Sequence, residues 1–153
     1  MIFVTLGSQK FQFNRLLQAV DRLKTDEPIF AQIGYSDYKP QNYKYKKFLN
    51  RDEFAYLMDL ADIVITHGGT GAIINAVKKG KKVIAVPRLK EYGEHVDNHQ
   101  MQLVNQFAEL NLIYSCEDCD LQKAICTVKN ATYAKYESNT AKIIKSLEEF
   151  INE

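Results

Sequence analysis

Between Asp62 and Gln100 the chain reads DIVITHGGTGAIINAVKKGKKVIAVPRLKEYGEHVDNHQ, and this stretch limits the possible folds more than any other. Ile63, Val64 and Ile65 form a short apolar run, as expected of a parallel strand buried on both faces. His67, Gly68, Gly69, Thr70 and Gly71 then make a turn, after which Ile73, Ala76 and Val77 recur on one helical face. Gly80 stops that helix behind Lys78 and Lys79, cations that suit the negative end of the helix dipole. Val83 to Val86 is a second buried-strand run ending at Pro87. The unit is therefore strand, glycine-rich loop, helix, strand.

Such a loop has a physical use. The first N–H groups of a helix lack partners and carry partial positive charge, and glycine lets a ligand come close to the backbone. A phosphate or diphosphate is the natural occupant. The plainer reading is a turn that needs glycine for its geometry alone. No Gly-Lys-Ser/Thr follows, so the loop is not a P-loop, and the absence of GxGxxG counts against a dinucleotide.

The flanking sequence repeats the alternation. Ile2 to Leu6 reads as a first strand, Gly7 and Ser8 as its turn, and Phe13, Leu16, Leu17 and Val20 as a helix with Asn14 as N-cap. Pro28 breaks that helix ahead of a strand over Ile29 to Ile33. Residues 34–50 carry four tyrosines and four lysines without a clean period. They predict a third strand around Tyr45 to Leu49 inside a solvated loop whose lysines protect a sheet edge. A membrane-headgroup, partner or nucleic-acid surface is the other use of such a mixture. Asp52 is the expected cap of a helix bearing Phe54, Leu57, Met58 and Ala61. Beyond Gln100, Leu103, Val104, Phe107 and Leu110 form a helix face, Leu112 to Tyr114 a last strand, and Asp120 caps a helix bearing Leu121, Ala124, Ile125 and Val128. Ile143, Ile144, Leu147, Phe150 and Ile151 predict an amphipathic C-terminal helix over about 139–152. The whole predicts one α/β domain over 1–153, a Rossmann-like, mostly parallel sheet with helices on both faces.

With 20 basic against 19 acidic residues, bulk charge gives no argument for nucleic acid. No stretch has transmembrane length, and Ile2 to Leu6 is too short for a signal peptide, so the expected location is the cytoplasm. Cys116, Cys119 and Cys126 include a CxxC, but a zinc site needs a fuller ligand set, and reduced thiols are expected.

Polar residues crowd into 94–100: Glu94, His95, Asp97, Asn98, His99 and Gln100. The segment follows a strand, so it belongs at the same carboxyl edge of the sheet as Gly7 and the 67–71 loop, where ligands of open α/β sheets collect. There it could grip sugar and ribose hydroxyls, or simply form a hydrophilic helix start. His95 and His99 stand at i, i+4, which would suit a metal on a helix, but no third ligand is fixed and HExxH is absent. Arg88 could neutralise a phosphate or be an ordinary surface arginine. His67 can orient the loop by hydrogen bonding. Asp118-Cys119-Asp120 is formally DxD but sits at a helix start and reads as capping.

Taken in order, VTLGSQKFQFNRLL at 4–17, ADIVITHGGTGAIINAVKKGKKVIAVPR at 61–88 and GEHVDNHQ at 93–100 resemble the donor-binding half of GT-B glycosyltransferases of the family 28 C-terminal type. The resemblance spans nearly the whole chain. It is closest to small stand-alone subunits: the donor subunit of the dolichol-linked N-acetylglucosaminyltransferase and bacterial counterparts in capsule and exopolysaccharide synthesis. It implies a UDP-sugar donor, with diphosphate on Gly68, Gly69, Thr70 and Gly71 and on Gly7 and Ser8 opposite, and with Glu94, His95, Asn98 and Gln100 at the sugar or ribose. It implies no metal and no cofactor, because oriented N–H groups stabilise the leaving UDP. Many relatives carry Glu where this chain has Asn75, which keeps hydrogen bonds to ribose but loses charge assistance. A GT-B site lies between two domains, so the resemblance further implies a separate membrane-associated acceptor subunit carrying the general base, a lipid-diphosphate-linked sugar as acceptor, inversion at the anomeric carbon, and residence at the cytoplasmic membrane face. Two other readings stay open: a non-catalytic subunit that stabilises or enhances a partner transferase, and a Rossmann nucleotide-binding module of other function. The C-terminal helix either docks the partner or closes this domain's own core.

Overall fold

The structure is a computed structural model that describes residues 1–7 and 10–135. The described residues form a six-stranded sheet in the order β3-β2-β1-β4-β5-β6, with every strand pair parallel. The elements in chain order are β1 (Ile2–Thr5), α1 (Asn14–Asp21), β2 (Ile29–Gln32), β3 (Lys44–Lys46), α2 (Arg51–Leu60), β4 (Ile63–His67), α3 (Thr70–Lys78), β5 (Lys82–Val86), α4 (His99–Glu109), β6 (Tyr114–Ser115) and α5 (Leu121–Asn130). A short 3-10 turn, Lys90–Tyr92, lies between β5 and α4.

Strand alternation explains the layering. In β1, Ile2 and Val4 enter a core with Leu16, Leu17 and Val20 of α1 and Ala124, Ile125 and Val128 of α5, while Phe3 enters the opposite layer. That second layer holds Met58 of α2, Ile73 and Val77 of α3, and Leu103, Val104 and Phe107 of α4. Both faces of the central strands are covered, which is why β4 and β5 read as unbroken apolar runs.

The strand order decides where a ligand can sit. The chain runs outward from β1 to β3, then returns to β4 on the other side of β1. The two directions part between β1 and β4, whose register pairs Thr5 with Thr66, so Gly7 and His67 emerge side by side at the carboxyl edge. Crevices at such switch points are the usual ligand sites of open α/β sheets.

Local details differ from the sequence reading where two polar residues compete for one cap or where buried residues lie outside the strand ladder. Asn14 is the first residue of α1 rather than its cap; its side chain donates to Asp37 (2.7 Å), and Ser36 accepts from the N–H of Phe13 (2.9 Å). Asn50, not Asp52, caps α2 through a reciprocal capping box with Glu53. β3 begins at Lys44 and stops before Phe48. Leu112 and Ile113 are buried against the α3–α4 layer, but the ladder with β5 forms at Tyr114 and Ser115. Asp120 caps α5 as expected, accepting from the N–H of Lys123. The predicted C-terminal helix and Ser8 lie outside the described residues.

Candidate functional site

A cleft of about 470 Å³ opens at the switch point. Gly7, His67, Gly69, Gly71 and Asn75 line it, so the first turn, the central loop and the outer face of α3 converge as the sequence predicts. Thr70 is the first residue of α3, whose N-cap is Gly69 with no side-chain cap. The N–H groups of its first turn are thus left to the cleft, with the positive end of the helix dipole behind them.

The three central glycines do different work. A Cβ on Gly69 would stand 2.6 Å from His67 Nε2, and one on Gly68 would stand 2.7 Å from Gln100 Cβ. Gly7 adopts φ +71°, and a Cβ there would meet the same imidazole at 2.5 Å. These positions exclude side chains because His67 and Gln100 fill the space. Gly71 has nothing near its Cβ direction, so its surroundings are open.

His67 is wedged between Gly7 and Gly69, and the hydrogen-bond network fixes its proton. Gln100 Oε1 accepts from the N–H of Gly68 and from the N–H of Arg88, both at 3.0 Å. The Gln100 amide nitrogen must then face His67 Nδ1 at 3.3 Å, so Nδ1 accepts and the proton of the neutral ring sits on Nε2. Burial, reinforced by the Arg88 charge, holds His67 at about 3, so it is neutral across the physiological range. A neutral N–H donor is therefore held between two glycines beside the open end of α3.

The other wall was not foreseen from sequence. Phe48, Leu49 and Phe54 supply an apolar side, and Thr5 and Gln32 a polar floor. Gln32 accepts from the Thr5 hydroxyl (2.8 Å) and donates to the carbonyls of Gly7 and Lys47 (3.0 Å each), tying the β1 turn to the segment carrying Phe48. No sequence-local signal links these residues; only the strand order brings them together.

The remaining predicted contacts have different posts. Arg88 does not meet the cleft as a phosphate ligand: it is 1% exposed and donates to the carbonyls of Leu6 (2.8 Å), Phe11 (2.9 Å) and Glu94 (3.3 Å). Its guanidinium lies over the Phe13 ring, and burial lowers it to about 10, still a cation at neutral pH. Glu94 is 3% exposed, and its carboxylate takes two bonds from Arg15 (3.0 Å each) and one from the N–H of Leu89 (3.1 Å). Gln100 is turned inward, as above. Asn98 remains exposed and accepts from the N–H of Lys90. His95 is not on the helix with His99, since α4 begins at His99; its ring packs by Phe11, and Asp97 lies within 3.2 Å of His95 and 3.7 Å of His99. Among the described residues, no group of three or more His, Cys, Asp or Glu is arranged to hold a metal. Cys116, Cys119 and Cys126 are free thiols.

A parallel sheet with this strand order, a glycine loop leading into an uncapped helix, and a cleft at the switch point define a Rossmann-like α/β domain, the fold of one half of GT-B glycosyltransferases. The chain belongs to the glycosyltransferase family 28 C-terminal domain, which matches residues 1–153. It is 35% identical over 60 residues to the UDP-N-acetylglucosamine transferase subunit ALG13 of Saccharomyces cerevisiae, a stretch covering 39% of this chain and 28% of that protein. The human protein of the same name is 28% identical over 131 residues, 75% of this chain and 11% of its own length. The chain thus spans under a third of these relatives. An NMR solution structure of ALG13 superposes with a TM-score of 0.63 at 19% identity, covering 99% of this chain and 96% of that one. CalG4, the calicheamicin glycosyltransferase, gives 0.62 at 17% identity over 98% of this chain and 38% of its own.

Proposed function

We propose that the chain is the donor-binding subunit of an inverting, UDP-sugar-dependent glycosyltransferase. The observation that carries this reading is the uncapped start of α3 facing a cleft, with the His67 Nε2–H beside it. The diphosphate lies on the N–H groups of Gly69, Thr70, Gly71 and Ala72. The base lies against Phe48 and Leu49, and the ribose near Asn75. As the glycosidic bond breaks, negative charge grows on the UDP oxygens, and fixed N–H donors stabilise it without reorganising. This needs no metal.

The general base and the acceptor, a lipid-diphosphate-linked sugar, belong to a separate membrane-associated subunit that holds this chain at the cytoplasmic membrane face. Relatives described as subunits support a divided enzyme. A setting in capsule or exopolysaccharide synthesis rests on the sequence resemblance to bacterial small subunits, whereas the named relatives put UDP-N-acetylglucosamine first among donors to test.

Thermal unfolding with UDP-N-acetylglucosamine, UDP-glucose, UDP-galactose, UDP, GDP, ADP and NADH, with and without EDTA, tests the reading. A ligand at ~100 times its Kd should add about 2.7 kcal/mol of stability. A UDP-selective rise in Tm that survives EDTA is expected. A response to NADH in place of UDP, or to no nucleotide, would overturn it.

A further inference from the structure

The pair of half-buried Arg15 and buried Glu94 lies outside the cleft lining, yet it joins segments far apart in sequence. Arg15 Nε and Nη2 donate to the two oxygens of Glu94 at 3.0 Å each. Nη2 also donates to the carbonyl of Pro87 (3.2 Å), and Nη1 to the carbonyl of Glu117 (3.3 Å) and to Cys119 Sγ (3.1 Å). A guanidinium has five N–H donors, and these bonds occupy all of them. The plane of Arg15 is further covered by Tyr92 at 4.8 Å. Arg15 therefore has no donor left for a ligand; its work is to hold other groups in place.

What it holds is the loop from Pro87 to Asn98. Within that loop Glu94 accepts from the N–H of Leu89, and Asn98 accepts from the N–H of Lys90, so the loop closes on itself. Arg88 ties its near end to the carbonyls of Leu6 and Phe11, and Gln100, just past its far end, accepts from the N–H groups of Arg88 and Gly68. The Glu94–Arg15 pair is the bond that fixes its middle to α1. Across the carboxyl edge the order is the apolar wall near β3, then the β1–β4 switch point, then this loop after β5. A nucleotide with its base on the wall and its diphosphate at α3 carries its sugar toward the loop.

We propose that Arg15 is a positioning residue for the sugar end of the donor site, acting through Glu94 on the Pro87–Asn98 loop and leaving the diphosphate end unaffected. This rests on the donor-binding reading above. The test compares Kd for UDP with Kd for whichever UDP-sugar of the panel binds best, in the full chain and in Arg15→Met, Arg15→Lys and Glu94→Gln. Arg15→Met is expected to leave UDP within about twofold of the unmodified chain while weakening the UDP-sugar tenfold or more. Arg15→Lys, which keeps the charge but not the fork, should recover part of that loss. If Arg15→Met does not fold, Glu94→Gln carries the same comparison, because it keeps the shape and an oxygen for Leu89. Parallel weakening of UDP and UDP-sugar would make the pair merely structural and overturn the inference, as would no weakening of either. A wild-type chain that binds no uridine nucleotide would bring down the donor-binding reading itself, and this inference with it.

Discussion

Two regions meet at the carboxyl edge of the sheet and are built on opposite plans. Around the start of α3, the loop is made of glycines, the helix has no side-chain cap, and Gly71 faces open space. One strand over, Arg15, Arg88, Glu94 and Gln100 are rich in charge and hydrogen-bonding groups, yet nearly all of those groups already have protein partners. The residues that look most chemical hold the frame, and the backbone and a neutral imidazole face the cleft. A buried polar group must be satisfied to be tolerated, so a dense buried polar network is usually a network with nothing to spare.

The sharpest break of this contrast comes from Glu94→Ala. It leaves half-buried Arg15 without its carboxylate and the buried Leu89 N–H without an acceptor, and losing hydrogen bonds to such a charged group costs about 1.5–3 kcal/mol. Urea denaturation should show that loss as a lower midpoint. On the open side, Gly69→Ala and Gly71→Ala should separate. The first drives a methyl into the His67 ring and should cost about 1–3 kcal/mol through overpacking. The second meets nothing and should stay within about 0.5 kcal/mol of the parent, as for a surface change. Its effect should fall on the UDP response instead.

His67 gives a pH signature of comparable size. Its value is about 3 in the fold against 6.5 in the unfolded chain, so the unfolded state takes up the proton first as pH falls. The stability carried by the neutral ring is complete above pH 6.5 and is lost between 6.5 and 3. Within that window the slope is about 1.4 kcal/mol per pH unit, or about 2 kcal/mol between pH 6.5 and 5. His67→Gln should flatten the urea midpoint over that interval, and an unchanged slope would contradict the buried neutral ring. The smallest expected effect is Asn75→Glu. A charge-assisted bond to a ribose hydroxyl in place of a neutral one should gain about 1 kcal/mol, roughly fivefold in the Kd for UDP measured by calorimetry.

The open region was legible in the sequence and the closed one was not, for a physical reason. Strand, glycine loop and helix are local, and the run from Ile63 to Val86 declares them by periodicity and by its glycines. The Arg15–Glu94 bond spans 79 residues, and Phe48 reaches the cleft only because β3 lies beyond β2. The family resemblance implies Glu94 and Gln100 at the sugar or ribose, and their place after a strand at the carboxyl edge allows it. Here the same residues bond inward to Arg15, Gly68 and Arg88. The capping of α2 was legible after all, since Asn50 and Glu53 have capping-box spacing, but Asp52 offered a competing acceptor two residues on.

The most direct measurement is a titration of the isotope-labelled chain with UDP, following backbone amides and arginine Nε–H groups by NMR. Saturable shifts at Gly69, Thr70, Gly71 and Ala72, with Arg15 Nε and the Leu89 amide unmoved, are the expected result. Shifts concentrated at Arg15 and Leu89 with the α3 amides silent would contradict the division between an open, ligand-binding loop and a closed, load-carrying frame.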